Sequence, residues 1–214
     1  MAIVAKKKEP PLSQALQDII NRSHGDGGGE CYDDNERYKY RIMKMLTENQ
    51  DVLWTLHNKE LEEKYSYTTK DETGNEIVML NGDTYRDVSI FNFLKIPGIQ
   101  STVKNFICFE VNDVEQPRYN KDLIIKNIIF RTVSHDDDYI TDWGIARQDL
   151  LAAIIQSEFD WSNAFGLHIE KISDRGKVAE NGYYYREFVY ETTIPNNLVN
   201  KAKNGGVVYN GRKL

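Results

Sequence analysis

The order of strand-like and helical patterns in the second half of the chain constrains the fold most. Two strand-like segments come before a single amphipathic helix pattern, and two more follow it. These segments are Asn105–Val114 and Leu123–Val133 before the helix, and Gly166–Ser173 and Tyr183–Thr193 after it. The order predicts a β-β-α-β-β core of the α+β class, with a mixed, mainly antiparallel sheet covered on one face by one or two helices.

The central helix is predicted to begin at Thr141. Thr141 is a favourable N-cap residue, and Asp142 places negative charge at the positive end of the helix dipole. Apolar residues recur at helical spacing from there, and we expect Trp143 and Ala146 to lie in the first turns. The predicted buried stripe comprises Leu150, Leu151, Ile154, Ile155 and Phe159.

A second helix pattern extends from Arg37 to Leu56. Apolar side chains recur there near helical spacing between charged residues, and Trp54 belongs to this apolar series. We expect this helix to be the second one that packs on the sheet.

The chain is long enough for one substantial core and too short for two large ones. Its 214 residues are 40% hydrophobic and 11% aromatic. We predict a core domain over residues 37–195, with an inserted, exposed loop region at about 58–91. Residues 1–36 are predicted to form an N-terminal arm that contains a glycine-rich linker, and residues 196–214 a polar C-terminal arm that orders on a partner.

Composition excludes several classes of protein. A net charge of −6 argues against a broad basic surface that grips phosphate backbones. The two cysteines, Cys31 in a polar loop and Cys108 in an apolar strand, do not form a disulfide framework, which favours a reducing compartment. The sequence has no apolar run of membrane-spanning length and no secretory pattern at Met1–Pro10, so we expect synthesis in the cytosol and no membrane partner.

The densest group of potential metal ligands is His135-Asp136-Asp137-Asp138. Carboxylates and imidazole bind divalent cations, but this run lacks the spacing of a calcium loop, and no zinc-ligand pattern occurs elsewhere. We therefore interpret it as a solvated acidic loop and predict no catalytic residue and no cofactor. A metal-dependent enzyme that uses this loop remains an alternative.

Other patterns also lack a catalytic context. The Gly27-Gly28-Gly29 run has no following Lys-Ser or Lys-Thr, so it is not a phosphate-binding loop. Cys108 lies among apolar residues, where a thiol acts as a small hydrophobic group. The tyrosines near Arg186 could stack on nucleic-acid bases, but tyrosine is also enriched at protein interfaces. Packing or subunit contact is favoured for these tyrosines, and a nucleic-acid-binding module is a further alternative function.

Taken together, the element order resembles that of neck or tail-terminator proteins of tailed bacteriophages, over about residues 37–193. The segments that carry the likeness are Asn49–Leu56, the Ile96-Pro97 turn, the paired strands, Thr141–Glu158 with Gly144–Arg147 near its start, and Tyr183–Glu187. The resemblance implies a virion protein that forms a six-fold ring, caps the tail tube and joins it to the head-side connector. It implies no catalytic residues.

A ring role suggests where contacts lie. We expect two loops, His135–Tyr139 and Asp174–Lys177, to face the lumen, the next ring or another partner. The residues concerned are His135, Asp136, Asp137, Asp138, Tyr139, Asp174, Arg175 and Lys177. Tyr183, Tyr185 and Arg186 are the candidate subunit interface. An acidic lumen would let DNA pass without specific binding.

Overall fold

The computed structural model describes residue 14 and residues 34–94, 104–115, 123–160, 169–178, 182–195, 199–201, 207–209 and 212–213. Its α-helices are α1 (Asp34–Glu48), α2 (Gln50–Leu56), α3 (Lys59–Tyr65) and α4 (Arg147–Asp160). The strands that precede α4 are β1 (Ser66–Lys70), β2 (Glu76–Leu80), β3 (Ile90–Phe91), β4 (Asn105–Glu115) and β5 (Leu123–His135). The strands that follow α4 are β6 (Ile169–Val178), β7 (Tyr183–Pro195), β8 (Val199–Lys201), β9 (Val207–Tyr209) and β10 (Arg212–Lys213). The fold is of the predicted mixed α+β class.

A five-stranded sheet forms the centre of the fold, in the order β3-β4-β5-β7-β6. Strands β4, β5, β7 and β6 pair antiparallel, and the short β3 pairs parallel to β4. The chain leaves β5, forms α4, enters the sheet at the edge strand β6 and returns through β7. This is the predicted β-β-α-β-β core with one short strand added at the edge beside β4.

The main core lies between this sheet and the helices, and a second, smaller buried cluster, which includes Phe106 and Val133, lies on the other face of the sheet. Side chains alternate along β5, so Phe130 points to the side that α4 covers, which we call the helix face, and Arg131 points to the other side, which we call the open face. The Phe130 ring contacts those of Phe109, Phe159 and Phe188, with centroids 5.9, 4.9 and 5.2 Å away. Aromatic packing of this kind supplies large buried apolar area.

The predicted helix from Arg37 to Leu56 is two helices. Asn49 interrupts the pattern, because its side-chain oxygen accepts a hydrogen bond from the Val52 amide at 3.2 Å and caps the start of α2. Trp54 lies on the outer side of α2 and is 42% exposed, although its spacing placed it in the apolar series.

The prediction that the central helix begins at Thr141 is wrong, since α4 begins at Arg147. The Thr141 hydroxyl accepts a hydrogen bond from the Ile145 amide at 3.3 Å, and Gly144 adopts φ +75°, so the segment forms a tight turn. The helix that follows buries Leu151, Ile155 and Phe159 as predicted, whereas Leu150 and Ile154, also predicted to be buried, are only partly buried.

Residues 58–91 are more ordered and more buried than the predicted exposed loop. The segment contains α3, the β1–β2 hairpin, a 3-10 helix (Gly82–Tyr85) and β3. At the close approach to α1, a Cβ on Gly82 would lie 1.8 Å from the carbonyl oxygen of Thr47, so only glycine fits. Tyr85, Ile90 and Phe91 are fully buried, whereas most of the hairpin is exposed.

The C-terminal segment forms the strands β8, β9 and β10, which pair as a small antiparallel sheet. The predicted glycine-rich linker of the N-terminal arm, residues 23–35, lies outside the described residues, apart from residues 34 and 35. The Ile96-Pro97 turn, Cys31, and Gly166 at the predicted start of the third core strand also lie outside them.

Candidate functional site

The acidic run after β5 forms a short 3-10 helix, Asp136–Asp138. His135 caps it, since its Nδ1 accepts a hydrogen bond from the Asp137 amide at 3.2 Å. Asp136 and Asp137 are exposed, and Asp137 lies 3.3 Å from the ammonium of Lys104. These two acids therefore lie at the surface, as predicted for a solvated loop.

Asp138 points away from these two acids, into a partly buried polar cluster. Its Oδ2 accepts a hydrogen bond from Asn105 Nδ2 at 2.6 Å and lies 2.9 Å from His57 Nδ1, and its Oδ1 accepts one from Arg147 Nη2 at 2.9 Å. Burial opposes ionisation of Asp138, but the hydrogen bonds from His57 and Asn105 and the charge of Arg147 outweigh it and hold the pKa below its usual value.

This cluster joins four elements, which are α2, β4, the 3-10 helix Asp136–Asp138 and α4. Arg147 Nε donates to the Asp138 carbonyl at 3.0 Å, and Arg147 Nη1 donates to the Thr55 carbonyl at 3.0 Å. Asn105 begins β4, and His57 ends α2 in the left-handed conformation at φ 49°. Both carboxylate oxygens of Asp138 are engaged by donors, so this residue cannot ligate a cation without breaking the cluster.

The described residues contain no group of three or more His, Cys, Asp or Glu side chains arranged to hold a metal ion. A cleft of about 260 Å³ lies beside the Asp138 cluster and carries mixed charge. It is lined by Leu56, His57, Asn58, Lys59, Glu60, Lys104, Asn105, Asp137 and Asp138. This mixture of acids and lysines, partly paired with each other, does not define one class of ligand.

Asp174, Arg175 and Lys177 lie inside strand β6, so the prediction of a loop there is wrong. Asp174 accepts hydrogen bonds from Arg186 Nε at 2.7 Å and Arg186 Nη2 at 2.8 Å. The Arg186 hydrogen bonds outweigh burial and, with help from Lys171, lower the pKa of Asp174 to about 2. Arg186 Nη1 also donates to Asp149 of α4 at 3.2 Å, so this arginine joins two strands and a helix.

Lys177 belongs to a charged group on the open face. The Glu187 carboxylate accepts hydrogen bonds from Arg131 Nε at 2.6 Å and Lys177 Nζ at 3.3 Å. Both cations also lie against the Tyr185 ring, 5.7 and 5.9 Å from its centroid. Burial opposes ionisation of Glu187, but the Arg131 and Lys177 contacts hold its pKa below the usual range.

The three predicted interface residues occupy different environments. Tyr183 is buried, with its ring 6.3 Å from that of Phe106 and 4.7 Å from that of His135, and burial raises its pKa. Tyr185 is half-buried on the open face, and Arg186 is engaged on the helix face. Of the three, Tyr185 is the side chain that the described structure leaves at a surface available to a partner.

Two exposed apolar features were missed at the sequence level. The first is the projecting hairpin, β1–β2, in which Tyr67 and Val78 are 50% and 53% exposed. Its tip is well ordered, because Asp71 Oδ1 accepts hydrogen bonds from the Thr73 and Asn75 amides at 2.9 and 2.8 Å. The turn residues around Gly74, between two runs rich in β-branched and aromatic side chains, could have predicted it.

The second feature is the tryptophan turn, Tyr139–Ala146, whose Trp143 is 76% exposed. Gly144 directly after Trp143 is the sequence signal that marks a turn instead of a helix interior. The turn and the hairpin both display large apolar side chains on ordered backbones.

Comparison with protein-family models places the chain in a family. The YomW model matches residues 40–192, which is well over half of the sequence. The chain belongs to the YomW family. The family name derives from a Bacillus phage, in agreement with the sequence-level resemblance to phage proteins. No curated protein matches the chain. Among the described residues, no helix is both long enough and apolar enough to cross a membrane.

Proposed function

We propose that this chain is a structural subunit of a phage virion neck, a tail terminator that forms a ring, caps the tail tube and joins it to the head-side connector. The observation that carries the proposal is the projecting hairpin. A two-stranded hairpin that stands away from a core is marginally stable in water, and this one exposes apolar side chains on both of its faces. A neighbouring subunit that covers them would complete it.

The pairing register defines those two faces. Tyr67 and Met79 are partners and share one face with Ile77, whereas Val78 pairs with Thr68 on the other. Tyr67, Ile77 and Val78 are all exposed in the single chain. Exposed apolar side chains grouped on one small element favour an interaction site there.

The base of the hairpin is fixed to the core. Gln50 Nε2 donates to the Leu80 carbonyl at 3.0 Å, and the Leu80 amide donates to Gln50 Oε1 at 2.8 Å. Leu80 itself is buried. An arm held at its base and ordered at its tip presents its apolar residues in one conformation, which lowers the entropic cost of binding.

A ring also suits the distribution of exposed surfaces. The hairpin and the tryptophan turn are different surfaces of one chain, and contacts between unlike surfaces are heterologous, which closes rings when the rotation between subunits permits. The net charge of −6 would keep DNA from adhering to the lumen of such a ring.

The test compares the hairpin with a matched exposed valine elsewhere. The solution mass of the full chain is measured by light scattering over a concentration series, alone and with tail-tube protein. We expect a discrete ring that Val78→Ser weakens and Val114→Ser leaves unchanged, since Val78 and Val114 are strand valines with 53% and 50% exposure. A wild-type chain that stays monomeric under both conditions contradicts the proposal.

A further inference from the structure

The tryptophan turn is built as a rigid unit. The Thr141 amide donates to the Ile145 carbonyl at 2.9 Å, and the Gly144 amide donates to the Thr141 carbonyl at 2.9 Å. An isolated bridge between Ile140 and Ala146 closes the base of the turn. Gly144 at φ +75° has no atoms within 4 Å of an added Cβ, so glycine is needed there for its backbone conformation.

The same turn is anchored to the core on one side only. The Arg147 amide donates to the Tyr139 carbonyl at 2.8 Å, and the Tyr139 ring lies 4.7 Å from that of Tyr184. Beyond these anchors, Trp143 is the most exposed large apolar side chain of the described residues, and Ile140 and Ile145 flank it at about half exposure.

Such an arrangement has the properties of a binding hot spot. Tryptophan dominates the energetics of many protein interfaces when it enters a desolvated site surrounded by weaker contacts. The rigid turn means that little conformational entropy is lost when Trp143 binds. The partner surface that binds Trp143 must be apolar or cationic, because an indole ring packs against both kinds of group.

The charge around the turn narrows the choice of occupant. Asp142 lies in the turn itself, and the exposed acids Asp136 and Asp137 lie just before it. The surface beside the turn is therefore acidic. Among the described residues, Lys104 partly neutralises one of these three acids, Asp137. A partner surface should be basic and should carry aromatic or apolar groups.

The open face of the sheet offers that combination, in a patch that we call the cationic strip: Arg131, Arg175, Lys177 and Tyr185. Arg175 and Arg131 both stand opposite Glu187 in the register, and Lys177 pairs with Glu187 as well, so the strip contains three cations for one carboxylate. Arg175 and Lys177 are exposed, and no described residue forms an ion pair with Arg175.

An apolar area continues from the strip along the same face. Ile129 and Val189 are register partners in β5 and β7, and both are only half-buried because the described helices lie on the other side of the sheet. The strip therefore combines excess positive charge, an aromatic ring and adjacent aliphatic surface, which are the features that an acidic turn with an exposed tryptophan requires.

We propose that the tryptophan turn of one copy binds the cationic strip of the next copy. This inference rests on the proposed ring function and specifies one of its contacts. Tyr184, which anchors the turn, shares the helix face with Phe188, whereas the strip lies on the open face. Turn and strip thus lie on opposite sides of the sheet, and the contact joins unlike surfaces head to tail, as a closed ring requires.

A charge exchange tests the contact in the full chain. Asp142→Arg and Arg175→Asp each place like charges at the interface, and the combined variant restores opposite charges in reversed positions. We expect each single change to weaken association about 30-fold, and the combined variant to recover most of it. The association constant is measured by light scattering or sedimentation, with unfolding midpoints as a check on folding.

A second pair of variants tests the tryptophan. Trp143→Ala should weaken association by about 30-fold, whereas Trp54→Ala changes a surface tryptophan outside the contact and should leave association unchanged. Normal ring formation by Trp143→Ala would contradict this contact, and so would a combined charge variant whose association stays weak. Either result would leave the proposed ring function standing. A wild-type chain that never associates contradicts the ring function and the contact together.

Discussion

The two faces of the five-stranded sheet are built from alternate residues of the same strands, yet they differ in what they contribute. Phe130 is fully buried on the helix face and packs among aromatic rings. Arg131, the next residue, lies on the open face beside Glu187 and Tyr185 at partial exposure. Hydrophobic burial on the helix face supplies stability, whereas paired charges near the surface supply little and remain available for a partner.

Truncating the helix face should have the largest effect. Phe130→Ala removes a ring that contacts several others, and we expect the free energy of unfolding to fall by about 4 kcal/mol through lost burial and the cavity left behind. The control is Ile129→Ala on the open face, which should cost less than about 1.5 kcal/mol because its side chain is only half-buried. Urea unfolding measures both, and equal losses would mean that the open face is as well packed as the helix face.

Disrupting the Asp138 cluster should have the second largest effect on the free energy of unfolding. Asp138→Asn retains the shape but removes the charge that faces the buried Arg147, and an uncompensated buried charge costs about 3 kcal/mol. Asp137→Asn, at the neighbouring exposed acid, should change the free energy of unfolding by less than about 0.5 kcal/mol. The contrast is measured by urea unfolding at neutral pH. A small effect of Asp138→Asn would show that the cluster contributes no more than surface charges do.

The Asp174–Arg186 pair should produce a smaller effect that depends on pH. The folded-state pKa of Asp174, about 2, lies below its unfolded value, so the stabilisation is present above the unfolded pKa and is lost as pH falls through the folded one. We expect the free energy of unfolding of the wild type to fall by about 1 kcal/mol between about pH 4 and pH 2 through loss of this pair. The difference in unfolding midpoint between wild type and Asp174→Asn should shrink over that window, and a difference that persists at the lower pH would refute the assignment.

The sheet core was predictable because its signal is local. A run rich in isoleucine and other apolar residues predicted β5 from Leu123 to Val133, and the structure extends it to His135. The start of α4 was not predictable from the N-cap preference of Thr141, because the same hydroxyl also serves the tight turn that Gly144 permits. Thr141 is compatible with both a helix N-cap and a tight turn. In the structure Gly144 adopts a positive φ, and the segment forms the turn.

The sites were predicted less well than the fold. The acidic run correctly indicated that Asp136 and Asp137 are exposed, but Asp138 belongs to an internal cluster whose partners come from distant parts of the chain. Asp174 and Arg175 were expected in a loop because their segment is rich in charge and contains Gly176. In the structure, pairing with β7 extends the strand through these residues, and Arg186 engages Asp174.

The sequence by itself determined the class of fold, the order of the core strands and helix along the chain, and the apolar residues that line the helix face. These features follow from periodicity, which each segment carries independently of the others. Only the tertiary structure decided which charges are paired, that Asp138 is partly buried while Asp137 is exposed, and that Trp143 is left at the surface. Those outcomes depend on distances between residues far apart in the chain, and local periodicity contains no information about such distances.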